Sequence, residues 1–138
     1  MLYRMLPIWL LLTVMGAACQ PPAPDRAWLH GSWQVDSLFR YYNGFTQRIP
    51  DGSSRGTFQY FASGKVREQM NDDYREFLYT WQGQDSLYFH TPEGDTLGVF
   101  QVLSLAPDRL VLRRAMDPLF DGPGQERYEI RYFSRIPN

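Results

Sequence analysis

Few side chains in this 138-residue chain have the chemistry that catalysis requires, and their spacing does not bring them together. The two histidines, His30 and His90, lie far apart, and neither has a neighbour at the spacing of zinc ligands. The paired acids Asp72 and Asp73 follow an asparagine, which is typical of a tight turn. No nucleophile-elbow motif and no phosphate-binding glycine loop is present. We therefore expect no enzyme activity, no metal ion and no cofactor.

Glu68 is a carboxylate that residue alternation could place inside a sheet. It shares a strand face with Val66 and Met70. If that face is internal, Glu68 needs a buried partner and becomes the most interesting polar site of the chain. If the strand twists or bulges, Glu68 lies in solvent, and this second interpretation is the one that we favour.

Cys19 is the single cysteine, so it cannot form a disulfide within the chain. It follows a positive charge at Arg4, an apolar run over residues 5–14, and the small residues 16–18. This order is typical of a secretory signal, and the apolar run is shorter than the roughly 20 residues of a membrane-spanning helix. The sequence predicts a signal peptide over residues 1–18.

The small residues before Cys19 resemble the lipobox of bacterial lipoproteins, in which diacylglycerol is attached to the cysteine before cleavage. The usual leucine three residues before the cysteine is replaced by Gly16. Cleavage without lipid, a free thiol, and pairing with another chain are the alternatives. The resemblance implies a lipid anchor at Cys19, with acyl chains such as palmitate holding the protein on a membrane.

The residues that follow the cysteine are rich in proline, which predicts an extended tether over residues 19–28. Gln20 stands where lipoproteins retained at the inner membrane carry aspartate, so the expected location is the outer membrane of the cell envelope. The formal net charge of −1 and the absence of a basic block argue against nucleic acid as a partner. No feature of the sequence identifies a protein partner.

From residue 33 onward, apolar and polar residues alternate with a period of two, interrupted by turn signals. On the first strand this places Trp33, Val35, Phe39 and Tyr41 on one face, and Leu38 with Arg40 on the other. The predicted strands cover residues 33–41, 57–61, 66–70, 77–81, 87–90, 97–105, 110–112 and 128–136. About eight short strands joined by hairpin turns predict an all-β, antiparallel, up-and-down barrel.

Four segments resemble motifs of small lipocalin-like domains found on bacterial lipoproteins of the Bacteroidota type. They are Gly31-Ser32-Trp33 and the segments over residues 56–66, 102–112 and 128–133. The resemblance implies a lipocalin-like or calycin-like barrel over residues 29–138. It also implies that Trp33 closes one end of the barrel beside Gly31, and that an arginine of the last strand, Arg131 or Arg135, packs across the indole.

The aromatic residues leave two functions open. Either they line a pocket for a small hydrophobic ligand, or they fill the barrel as the core of a protein-interaction module, such as an inhibitor or an envelope assembly accessory. Ligand binding is the function that we favour. Leu119-Phe120 and Tyr41-Tyr42 form either a partner-facing rim or a cover over the barrel end. The candidate interior residues are Phe58, Tyr60, Phe77, Tyr79, Trp81 and Phe89.

Overall fold

The computed structural model describes residues 22–49 and 56–137, so the predicted signal peptide and Cys19 lie outside the described residues. A turn of 3-10 helix at Arg26–Leu29 precedes the strands, and the Asp25 side chain caps it by accepting a hydrogen bond from the Ala27 amide. The strands are β1 Gly31–Tyr42, β2 Phe45–Ile49, β3 Thr57–Tyr60, β4 Lys65–Met70, β5 Asp73–Gln82, β6 Ser86–His90, β7 Thr96–Leu105, β8 Arg109–Ala115 and β9 Arg127–Arg135.

Eight of the strands close into a barrel. β3 to β9 pair in sequence order, and β1 completes the ring by pairing with β3 on one side and with β9 on the other. Every one of these pairs is antiparallel. The predicted all-β, antiparallel up-and-down barrel is therefore confirmed, and the eight predicted strands are the eight strands of the ring.

The ninth strand, β2, is missing from the predicted strands. It pairs with the second half of β1, on the same edge of β1 whose first half pairs with β3. Among the described strands, β2 pairs with β1 alone. Four of its five side chains are exposed, so the sequence has no alternation of buried and exposed residues here. A strand that buries neither face cannot be recognised by a period of two.

The predicted faces of β1 are correct as far as Val35 and wrong beyond it. The pairing of β1 with β9 shifts between Val35 and Ser37, which marks a β-bulge at Asp36. A bulge inserts one residue and reverses the side on which every later residue points. Leu38 is consequently buried inside the barrel, whereas the rings of Phe39 and Tyr41 pack outside against Tyr132 and Tyr128 of β9.

The barrel has two different ends. The 3-10 helix lies at the end where β1 begins and β9 finishes, and we call this the closed end. The opposite end carries the β4–β5 turn, the β8–β9 loop and the last residues of β1, and we call it the open end. Within residues 22–49 and 56–137, no helix has the length and apolar character needed to cross a membrane.

Candidate ligand-binding site

Arg135 and Trp33 build the closed end. The Trp33 side chain is fully buried, and its indole Nε1 donates a hydrogen bond of 2.8 Å to the Leu29 carbonyl. The Arg135 guanidinium lies 4.3 Å from the centre of the indole ring. It also donates to the backbone carbonyls of Trp28, His30 and Pro107. One side chain thus ties the helix, the start of β1 and the β7–β8 turn together.

Gly31 is required at this end for a steric reason. Its φ is +124°, a conformation that residues with a side chain rarely adopt. A Cβ at this position would lie 2.3 Å from Nη1 of Arg135, so any larger residue would displace the guanidinium. Arg131, the second candidate for packing on Trp33, lies instead nearer the open end, with its guanidinium 5.4 Å from the centre of the Phe100 ring.

The closed half of the barrel is filled with side chains. The rings of Tyr60 and Tyr79 pack edge to face with centres 5.5 Å apart, and Tyr60 also packs against Phe89. The Tyr79 hydroxyl donates to the Phe61 carbonyl at 2.9 Å. Burial raises the pKa of Tyr60 far above its ordinary value, more strongly than the nearby Arg131 lowers it, so Tyr60 stays neutral. This half is thus packed like a protein interior.

The six candidate interior aromatic residues divide between the two halves. Phe58, Phe77 and Phe89 line the space in the open half, whereas Tyr60 and Tyr79 belong to the filled half. Trp81 is only partly buried and lies below the Arg26 guanidinium, which is 4.7 Å from its ring centre. Three of the six residues therefore border the cavity and three do not.

The open half contains a cavity of about 200 Å³. Its walls are the second half of β1, the end of β4, and β9. It lies near the point along β1 where the pairing partner changes from β3 to β2. A second space of about 90 Å³ lies beside it, toward β5 and β7, and the two share Phe58, Glu68 and Arg131 as lining residues. Together they form one site, which we call the open-half cavity.

Charged side chains make up much of the lining. Two glutamates and four arginines face the cavity alongside apolar residues. The glutamates are Glu68 and Glu129, and the arginines are Arg40, Arg75, Arg114 and Arg131. The apolar residues are Val35, Leu38, Phe58, Met70, Phe77, Phe89, Leu97 and Phe100. Such a wall suits a ligand that is apolar over most of its surface and polar at one point.

Glu129 is the most deeply buried charged residue of the described chain, with 3 % of its surface exposed. Each of its carboxylate oxygens accepts a charged hydrogen bond, from Arg131 Nε at 2.5 Å and from Arg40 Nε at 3.3 Å. Both oxygens are thus occupied by this chain's own arginines. Glu129 is a structural anion that holds two guanidinium groups at the cavity wall.

Glu68 also points into the barrel, so our preference for a solvent-exposed Glu68 is wrong. It is 6 % exposed and accepts a charged hydrogen bond from Arg75, its direct cross-strand neighbour on β5. The β4 strand is regular, without a bulge in its pairing with β3 or β5. The alternation of Val66 and Glu68 already indicated this orientation. The ion pair with Arg75 offsets the free-energy cost of burying the carboxylate.

The rim of the open end is apolar. Most of the large apolar side chains that the described residues expose lie there, on the β1–β2 turn, the β4–β5 turn, the start of β7 and the β8–β9 loop. They are Phe45, Met70, Tyr74, Leu97, Leu119 and Phe120. Leu119 and Phe120 are highly exposed, and their amides donate to the Gln125 side chain. Tyr41 and Tyr42, which are less exposed, border the same end with Phe45 and Leu119.

The remaining polar residues examined in the sequence lie away from the cavity. His30 is exposed at the closed end, and His90 stacks on Tyr88. Asp72 lies in the turn between β4 and β5, and Asp73 is the first residue of β5. In the described part of the chain, no group of three or more histidine, aspartate or glutamate side chains could hold a metal ion.

No protein-family model and no curated protein sequence matches this chain. Among solved structures, a bovine odorant binding protein in the form of a deswapped triple mutant is similar to it, with a TM-score of 0.45 and 19 % sequence identity. The match covers 80 % of this chain and 76 % of the bovine one. The barrel architecture described above follows from the strand pairing of this chain itself.

Proposed function

We propose that this protein binds a small, mainly apolar ligand in the open-half cavity and that it does not catalyse a reaction. The observation that supports this proposal is the contrast between the two halves of the barrel. The closed half is packed with side chains, whereas the open half keeps a space of about 200 Å³ that buried charges and phenylalanines border. The alternative, an interaction module, predicts a core filled with side chains throughout, and only the closed half has such a core.

The size of the cavity limits the ligand. An apolar cavity of roughly 150 Å³ holds one benzene molecule, and drug-sized ligands occupy about 300–1,000 Å³. A space of about 200 Å³ with a narrow extension therefore accommodates one aromatic ring or a short alkyl chain with a polar substituent. Porphyrins and long-chain lipids exceed this volume, so the ligand belongs to the class of small amphiphiles.

Met70→Trp is expected to abolish ligand binding, because Met70 lines the cavity at its rim and a larger side chain would occupy the space. The matched control is Val99→Trp. Val99 lies on the outer face of β7 and has the same exposed fraction, 45 %, as Met70. Binding is measured by calorimetry and by the rise in Tm with indole, 1-hexanol, benzoate and hexanoate, since a ligand that binds only the folded state stabilises it.

We expect at least one of the four probes to raise the Tm of the natural protein and of Val99→Trp, but not the Tm of Met70→Trp. Equal responses of Met70→Trp and Val99→Trp would place the bound probe outside the cavity. The absence of any response in the natural protein at millimolar probe would contradict the proposed function.

We further propose that the protein is exported and lipid-anchored at Cys19 to the bacterial envelope, at the outer membrane. The support is the order of charged, apolar and small residues before this cysteine, together with the proline-rich segment after it. The described chain leaves the barrel at the closed end, through Asp25 and the 3-10 helix. The tether would thus be attached opposite the cavity mouth and would leave the mouth free.

Cys19→Ala is expected to remove a metabolically incorporated palmitate label and to release the protein from the membrane fraction, because the thioether is the attachment point of the lipid. Gln20→Ala serves as the control, since it leaves the cysteine in place, and it should stay labelled and membrane-bound. A Cys19→Ala protein that remained in the membrane fraction would contradict the anchor.

A further inference from the structure

We infer that the open-half cavity selects ligands that carry a carboxylate, and that Arg114 and Arg131 hold this group beside the Phe100 ring. The inference rests on the proposed ligand binding and names the chemical class of the ligand. Its basis is an excess of positive charge along the wall of this cavity, where the described lining residues include four arginines and two glutamates.

The strand register explains how this excess arises. On β9, Glu129 lies directly opposite Arg40 of β1 on one side and Arg114 of β8 on the other. Cross-strand neighbours of opposite charge normally pair. Arg40 does pair with Glu129, but Arg131 takes the second carboxylate oxygen. Arg114 is left without an acidic partner within 4 Å among residues 22–49 and 56–137.

Arg114 turns toward β7 instead of toward Glu129. Its guanidinium carbon lies 5.5 Å from the centre of the Phe100 ring. Gly98 of β7 lies directly beside it, since a Cβ on Gly98 would be in ordinary contact, at 3.6 Å, with both Cζ and Nε of Arg114. The guanidinium thus lies against β7 at the border of the cavity.

Arg131 borders the same part of the cavity from β9. Its guanidinium carbon is 5.4 Å from the Phe100 ring centre, and its side chain is 25 % exposed. Only its Nε is engaged by Glu129, and within the described residues its two terminal nitrogens donate to no protein acceptor. Two guanidinium groups therefore lie against one phenylalanine ring, with unused donors on both.

A carboxylate satisfies this arrangement. The planar guanidinium matches the two oxygens of a carboxylate, and charged hydrogen bonds gain strength where water is excluded. Arg114 and Arg131 are only partly exposed, and an anionic ligand would pair with the donors that the described protein atoms leave unused. The phenylalanines of the cavity wall then receive the apolar part of the same ligand.

The test compares benzoate with benzamide, which has nearly the same shape but no charge, and hexanoate with hexanamide. We expect each acid to bind the natural protein at least about tenfold more tightly than its amide, as one or two charged hydrogen bonds would produce. Arg114→Gln should remove most of this preference, because it weakens the binding of the acids far more than that of the amides. Arg114→Lys, which keeps the charge, should restore part of the preference.

The matched control is Arg109→Gln, because Arg109 is an exposed arginine on the outer face of the same strand, and its loss changes the net charge by the same amount. It should retain the full preference for the acids. Circular dichroism verifies that each variant is folded.

Equal binding of acids and amides would overturn the carboxylate inference while the proposed ligand binding stands. Failure of the acids and amides to bind would overturn the carboxylate inference, and it would overturn the proposed ligand binding as well if indole and 1-hexanol also failed to bind. A preference that survives in folded Arg114→Gln would contradict the role of Arg114. Inorganic phosphate that binds as tightly as benzoate would show an anion site with no need for an apolar group, and it too would overturn the inference.

Discussion

Replacing Trp33 with alanine is expected to lower the free energy of unfolding by about 3–5 kcal/mol, the range for large aromatic residues in protein cores. The indole is fully buried, bonds to the Leu29 carbonyl and supports the Arg135 guanidinium. Its loss leaves a cavity at the closed end and removes the surface on which Arg135 packs. Urea unfolding monitored by circular dichroism measures the change.

Trp28→Ala is the matched control for this substitution. Trp28 lies in the 3-10 helix of the same end but is 40 % exposed. Its side chain contributes less buried area, so the loss of stability should be much smaller. If both variants lost the same stability, Trp33 would not be the residue that closes the barrel.

Glu129→Gln is expected to cost about 2 kcal/mol of stability, because it leaves two guanidinium groups without their anion. Removing one partner of a fully buried ion pair costs more, but here the Arg40 and Arg131 side chains are 50 % and 25 % exposed, and water screens them in part. The amide keeps the shape of the carboxylate, so the change isolates the charge. Unfolding in urea at neutral pH is the measurement.

Glu76→Gln is the control, since Glu76 is also bound by two basic side chains, Lys65 and Arg67, but on the outer face of the barrel. The Arg67 guanidinium holds the pKa of the Glu76 carboxyl below its usual range, yet water surrounds the group. Exposed ion pairs contribute little to stability, so this variant should unfold close to the natural protein. A larger loss for Glu76→Gln than for Glu129→Gln would contradict the structural role given to Glu129.

The strands of the ring could be predicted from the sequence because each has a clear turn signal and a period of two. The hairpin turn at Asn71, whose φ is +54°, is an example. The faces of β1 could not be predicted, since a single inserted residue at Asp36 reverses them, and no residue type marks a bulge of this kind. β2 was missed because it buries no face.

The charged cavity was harder to predict, for a physical reason. On β9 the apolar residues Tyr128 and Tyr132 pack on the outside against β1, while Glu129 and Arg131 point inward. An alternating pattern defines the two faces of a strand but does not say which face is internal. Charged side chains can lie on the internal face when cross-strand partners of opposite charge pair with them. Arg114 carries no sequence signal of its own, because its lack of an acidic partner among the described residues depends on Arg40 and Arg131 pairing with Glu129.

The most direct test of ligand binding in the open-half cavity is a titration with benzoate, followed by nuclear magnetic resonance of the side-chain N–H groups. If benzoate binds in the cavity, the Nε–H signals of Arg114 and Arg131 should shift with benzoate concentration and reach saturation. The Trp33 indole signal, at the filled closed end, should stay in place. Unchanged arginine signals at saturating benzoate, or shifts confined to outer-face groups such as Arg109, would contradict the account.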